Sequence, residues 1–212
     1  MFGLGRRFIF GFCLAASLLV SGQALAVDFA FSPGGLSQAI FNSDAQLESI
    51  TGTSNAVTGT ISTDLAAPSS TTGTISIDAS SFTTGIPTRD EHLVSENWID
   101  AAANPQITFE LTGVTVPEGA TLEHATPVTA TVLGNLTFHG ETKPVSATAE
   151  VTYYELPEEQ RNPQMGLSNN VVRVEATFDI TLADYGISVP APLELKVAET
   201  ISLQLRLTGV QQ

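Results

Sequence analysis

Apolar and polar residues alternate along most of this chain. Ile75, Ile77 and Ala79 are spaced by polar partners, and so are Ile107, Phe109 and Leu111. Val128, Ala130, Val132, Gly134, Leu136 and Phe138 share one parity of a longer run, and Val145, Ala147, Ala149, Val151 and Tyr153 repeat the pattern. Val172, Val174, Ala176, Phe178 and Ile180 follow, then Ile201, Leu203, Leu205 and Leu207. Successive side chains of a strand point to opposite faces, so a period of two predicts strands with one apolar and one polar face. The Thr, Val and Ile content of these runs agrees. Towards the N-terminus, Leu36 to Phe41 and Val57 to Thr63 read as further strands. Thr58-Gly-Thr-Ile-Ser-Thr-Asp64 echoes Thr72-Gly-Thr-Ile-Ser-Ile-Asp78, as two neighbouring hairpin strands of like composition would. Turn signals fall at Pro68-Ser-Ser, Pro117-Glu-Gly119 and His139-Gly-Glu-Thr142, and Glu155 to Gly166 reads as an exposed loop.

The resulting prediction is an all-β, antiparallel architecture of about eight strands. One apolar face per strand can be hidden by stacking two sheets or by closing one sheet into a barrel, which also removes the edges. A barrel of about eight strands is filled by side chains or holds one small ligand. The small inward candidates Ala130, Val132, Gly134, Ala147, Ala149 and Ala176 leave space and favour a cavity.

One stretch breaks the rhythm. Between Phe82 and Glu110 lie the only Trp and the densest group of charged residues. Thr88 and Glu91 stand at capping-box spacing, with Asp90 and Glu91 in the first turn of a short helix. Val94 and Trp98, four residues apart, are expected together on its inner face. This segment is expected to cross one end of the sheet structure. Arg89 has two readings: a structural ion pair with a carboxylate such as Asp90 or Asp100, or a grip on a phosphate.

Residues 1–26 read as a secretory signal peptide, which sets the domain at residues 27–212. Arg6 and Arg7 precede the apolar run Phe8 to Val20, and Ala24-Leu25-Ala26 supplies small residues at the cleavage positions. Loss of two of the eight basic residues leaves six against 22 acidic ones and takes the formal charge from −14 to −16. Such a surface repels nucleic acid and anionic membrane faces. The one cysteine, Cys13, lies in the leader, so the mature chain has no thiol to form a disulfide, attack a substrate or bind a metal. The expected location is the periplasm or the exterior, without stable membrane insertion after cleavage, as a monomer or homodimer.

No catalytic constellation stands out. His92, His124 and His139 are scattered without metal-ligand spacing, and neither a HExxH pair nor a GxSxG elbow is present. The expectation is no catalytic residue, no metal and no cofactor.

Several segments do resemble a known family. Thr84-Gly85, Arg89-Asp90-Glu91-His92-Leu93, Asn97-Trp98-Ile99-Asp100 and Pro105-Gln106-Ile107-Thr108-Phe109 are similar to the "TG…RDxHL…ffD…P.itF" signature of YceI-like proteins. Gly134 to Val145 (GNLTFHGETKPV) resembles that family's "GxLTlhGxtkPV" segment, and Asp184-Tyr185-Gly186-Ile187 its late "dfGI" turn. The chain departs from the pattern where Trp98-Ile99 replaces an aromatic pair. It also lacks the His of the opening strand, and an Arg often found shortly before the late turn. The resemblance covers essentially all of the mature chain. It implies a lipocalin-like barrel of about eight strands that encloses an isoprenoid chain or another amphiphile, as a periplasmic binder or carrier.

An apolar chain is held mainly by area removed from water, roughly 0.8 kcal/mol per buried CH₂, so such a site requires little sequence signature. The candidate lining is Phe41, Phe82, Trp98, Phe109, Val132, Leu136, Phe138, Phe178 and Leu205, with Arg89 and His92 at the mouth. The expected partner is therefore a hydrophobic small molecule or lipid. The rival readings are a structural or adhesion domain with a filled core, and an enzyme acting on a lipid or small molecule.

Overall fold

The structure, a computed structural model, describes residues 25–34 and 36–212; the leader predicted over residues 1–26 lies outside them but for its last two residues. Ten strands form one antiparallel sheet: β1 (Ala26–Phe31), β2 (Gln38–Asp44), β3 (Ser49–Ser54), β4 (Val57–Asp64), β5 (Ala67–Asp78), β6 (Gln106–Thr115), β7 (Pro127–Phe138), β8 (Glu141–Tyr154), β9 (Val171–Thr181) and β10 (Thr200–Gln211). Eight of them close a ring in the order β1-β4-β5-β6-β7-β8-β9-β10, with β10 returning to β1 at Phe29↔Gln211 and Ala30↔Val210. The sheet is thus a barrel and not a sandwich.

The first half of β10 pairs instead with β2, from Ser202↔Asn42 to Arg206↔Gln38, and β3 pairs with β2. Thr53 of β3 and Thr83, just beyond β5, exchange backbone hydrogen bonds of 2.9 and 3.0 Å. The β2–β3 hairpin therefore widens one rim of the barrel while tying its own outer edge. This end is the mouth. The opposite end is closed by the β6–β7 connection, where the Leu122 amide bonds the Leu65 carbonyl at 2.7 Å and the Leu122 side chain is buried.

Alternation directs the side chains as expected. In β7, Val128, Ala130, Gly134, Leu136 and Phe138 are buried, while most of the intervening residues are exposed. β6 carries a register shift between Leu111 and Gly113, and beyond it the inward parity changes, so that Val114 and Val116 line the interior. The echoed TGTIS segments pair as neighbouring strands, with Gly59 opposite Ile75 and Gly73 opposite Ile61.

Three expectations are corrected. Pro68 lies within β5; the hairpin turn is Leu65-Ala66, where the Asp64 carboxylate accepts from the Ala66 amide at 2.9 Å. The β5–β6 pairing begins only at Thr74, so a proline without an N–H is tolerated where β5 has no second partner. The helix is shorter than expected: α1 spans Pro87–Leu93, with Ile86 at its N-cap and no capping side chain. Pro87 occupies the first turn and sets the start, which leaves Thr88 inside the helix and dissolves the capping box. Finally, α1 ends before Trp98, so Val94 and Trp98 are not a helical pair; a turn at Ser95–Asp100, with Asp100 at φ 52°, carries Trp98 to the barrel instead.

Candidate functional site: an apolar cavity at the barrel mouth

Inward residues of a packed barrel should be fully buried, yet Phe109, Phe178, Leu203 and Leu205 are only half-buried. They border empty space. A cavity of about 310 Å³ opens beneath the mouth, walled by Phe41, Ile75, Ile77, Phe82, Trp98, Ile107, Phe109, Leu136, Phe138, Phe178, Ile201, Leu203 and Leu205 among others.

Ten of the eleven candidates from the sequence border this cavity: Phe41, Phe82, Arg89, His92, Trp98, Phe109, Leu136, Phe138, Phe178 and Leu205. Val132 does not. It lines a second, deeper space of about 90 Å³ together with Ala130, Ala147 and Ala176, so the small inward residues mark the inner part of the lumen and not the larger cavity. The β2–β3 hairpin adds Ala39, Phe41, Ser43 and Ile50 to the wall of the larger one. Sequence reading missed Ile75, Ile77, Ile107, Ile180, Ile201 and Leu203 as lining, although their parity was legible; it also missed Leu193, Lys196 and Val197 of the β9–β10 connection, which carries no strand pattern.

Three segments frame the mouth: the β2–β3 turn, α1 and the β9–β10 connection. The Leu47 amide bonds the Leu195 carbonyl at 2.8 Å, joining the first to the third. Arg89 joins the first to the second, with its Nη1 3.0 Å from Glu48 Oε1. The carboxylate held by Arg89 is thus Glu48, 41 residues earlier, and not Asp90 or Asp100. Arg89 Nε also donates to Thr84 Oγ1 at 2.8 Å. Asp90 turns the other way. It accepts from Thr83 Oγ1 at 2.6 Å, Thr84 N at 2.7 Å and Thr84 Oγ1 at 2.6 Å. Those bonds, the Thr83 hydroxyl foremost, hold its carboxyl below the ordinary value. His92 is exposed on the rim, and so is Lys196.

His139 fastens the same end from below. It forms with Gly140 the two-residue turn between β7 and β8, both at positive φ (51° and 79°). Its Nδ1 lies 2.9 Å from the Tyr185 carbonyl oxygen and its Nε2 3.3 Å from that of Glu96, linking the Trp98 turn to the connection after β9. Tyr185 is buried against Phe138, ring centroids 5.4 Å apart, and its hydroxyl has no hydrogen-bond partner among the described residues. Burial, with a smaller contribution from Asp184, pushes that hydroxyl above its ordinary value.

The polar groups at the mouth are thus largely engaged with one another, and the walls are hydrocarbon. Among the described residues there is no group of three or more His, Cys, Asp or Glu placed to hold a metal ion, and no helix long and apolar enough to cross a membrane. What the arrangement can do chemically is remove an apolar molecule from water.

The comparisons with known proteins agree with the barrel. A UPF0312 protein of Pseudomonas savastanoi pv. phaseolicola is 28% identical over 209 residues, 98% of each chain. Protein YceI of Salmonella newport is 32% identical over 149 residues, covering 69% of this chain and 73% of that one. Among solved structures, Burkholderia cenocepacia BcnA superposes with a TM-score of 0.62 at 18% identity, over 81% of this chain and 95% of that one. A polyisoprenoid binding domain from Saccharophagus degradans, implicated in plant cell wall breakdown, also gives 0.62, at 16% identity, over 87% and 98%. A family model described as the YceI-like domain matches residues 35–209. With a match over that span on a closed antiparallel barrel, the chain belongs to the YceI-like family.

Proposed function

We propose that this protein is an exported binder or carrier of an isoprenoid or similar amphiphile, whose hydrocarbon chain occupies the barrel cavity without chemical change. The observation that carries this reading is the open apolar cavity of about 310 Å³ bounded by half-buried inward side chains. The relative described as a polyisoprenoid binding domain supports the ligand class. Phe41, Phe82, Trp98, Phe109, Leu136, Phe138, Phe178 and Leu205 contact the chain, and Arg89 and His92 stand beside its head group. At roughly 0.8 kcal/mol per CH₂ removed from water, a few isoprene units reach micromolar affinity even after the entropy of association is met. Export by cleavage after Ala26 places the barrel in the periplasm or outside the cell.

Extraction of the protein purified under native conditions, followed by mass spectrometry, should recover a stoichiometric amphiphile. Titration of the delipidated protein with farnesol should give a saturable change in fluorescence from Trp98, the only Trp in the chain. Absence of any bound or loadable amphiphile would favour a structural or adhesion role. Recovery of a chemically altered product would favour an enzyme.

A further inference from the structure

The lumen has two lobes with a waist between them. The outer cavity of about 310 Å³ and the inner one of about 90 Å³ share Ile75, Phe109, Phe178 and Leu205. Phe109 stands on β6 and Phe178 on β9, with β7 and β8 between them in the ring, so the two phenyl groups meet across the lumen. Their centroids are 6.4 Å apart at an interplanar angle of 32°. A methylene chain passing between them needs about 3.5–4.0 Å to each ring, so no chain passes between these two rings as they stand.

Below the waist the surface is almost wholly hydrocarbon. Its two hydroxyls are engaged: Thr63 Oγ1 and Thr71 Oγ1 lie 2.6 Å apart, and Thr71 also donates to the Pro68 carbonyl at 2.7 Å. The inner lobe therefore has nothing to offer a head group and can take only a chain end. The tip of the Phe109 ring rests against Gly134 of the neighbouring strand, in space that a Cβ at that position would claim. Glycine there gives the ring a resting place against the wall. An alanine Cβ would collide with the ring and with the Glu110 carbonyl oxygen of β6.

We infer that Phe109 and Phe178 form a gate that sets the length of apolar chain the barrel accepts, with Gly134 as the seat of the movable ring. This rests on the binding role proposed above. A chain that fills the outer lobe ends against the two rings, and a longer one gains no further contact unless a ring is displaced.

The test is a binding series on delipidated protein with geraniol, farnesol, geranylgeraniol and longer prenols. Wild-type affinity should rise with each isoprene unit and then level off. In Phe109→Ala the levelling should move to longer chains, with the first prenol beyond the wild-type limit tightening at least about tenfold while short ones weaken. Phe178→Leu should shift the limit in the same direction and serves if Phe109→Ala does not fold. A merely structural role for the rings would weaken all chain lengths alike. Wild-type affinity that climbs without levelling, or a wild-type limit kept in both Phe109→Ala and Phe178→Leu, would overturn the gate and leave the binding role intact. Failure of every prenol to bind wild type and variants would overturn both.

Discussion

At the scale of single residues, the most informative group is one that lacks a partner. The Tyr185 hydroxyl is buried, its ring packed against Phe138, with no hydrogen-bond partner among the described residues. Its removal in Tyr185→Phe takes away a desolvated polar atom and keeps the ring, so the variant should be equally stable or more stable by up to about 1 kcal/mol in urea unfolding. The pH dependence has a definite sign. A tyrosine whose folded pKa is raised holds its proton more tightly in the native state, so its contribution is fully present below the unfolded value of 10.0 and is lost as pH rises through the folded one. Stability should therefore fall above pH 10, less steeply in Tyr185→Phe than in wild type; Tyr153, raised mainly by burial, leaves a residual slope.

The mouth is settled at the scale of elements. α1 is only seven residues long, has no capping side chain and buries none of its residues, so propensity alone cannot hold it. Asp90 does, by gathering Thr83 and Thr84, and Arg89 does, by reaching Glu48. Because Asp90 is depressed below 3.8, its anchoring is present above that value and is lost as pH falls through the folded pKa. Asp90→Asn should raise amide hydrogen exchange over residues 83–90 at neutral pH and leave β7, β8 and β9 protected. Acidification of wild type should reproduce that local pattern before the barrel unfolds. Equal protection in the variant would show that the hairpin and Arg89 hold the helix unaided. From the sequence, Arg89 reads as a structural ion pair or as a grip on a phosphate. In the fold it is a fastener, since it meets a carboxylate 41 positions away that no local spacing reveals.

For the whole molecule, the governing fact is a barrel that closes by eight strands and then opens one rim with two more. Bound ligand should stabilise the folded chain by mass action, about 2.7 kcal/mol at a concentration of 100 Kd, and raise the melting temperature accordingly. Delipidated protein should thus melt lower than protein as isolated, and farnesol should restore the difference. Processing is testable on the same preparation: Edman sequencing of the exported protein should begin at Val27, one residue into β1.

Sequence by itself determined β2 and the strands from β4 to β10 in outline, apart from the first half of β5 and the parity change within β6, because the pleat makes side-chain direction a matter of parity and parity is written in the residues. It also supplied the family signature and nearly all of the aromatic lining. β1 and β3 escaped it: AVDFAF abuts the leader, and SITGTS has one large apolar residue, so neither shows a run of alternation. Parity fixes the face of a side chain and not its depth, which is why Val132 and Phe109 looked equivalent and prove to sit in and above the inner lobe. The family resemblance already pointed to a barrel; only the tertiary structure decided how it closes, with β10 returning to β1, the division of the lumen at Phe109 and Phe178, and the partner of Arg89. Each depends on segments far apart in the chain meeting in space, and no local pattern encodes that distance.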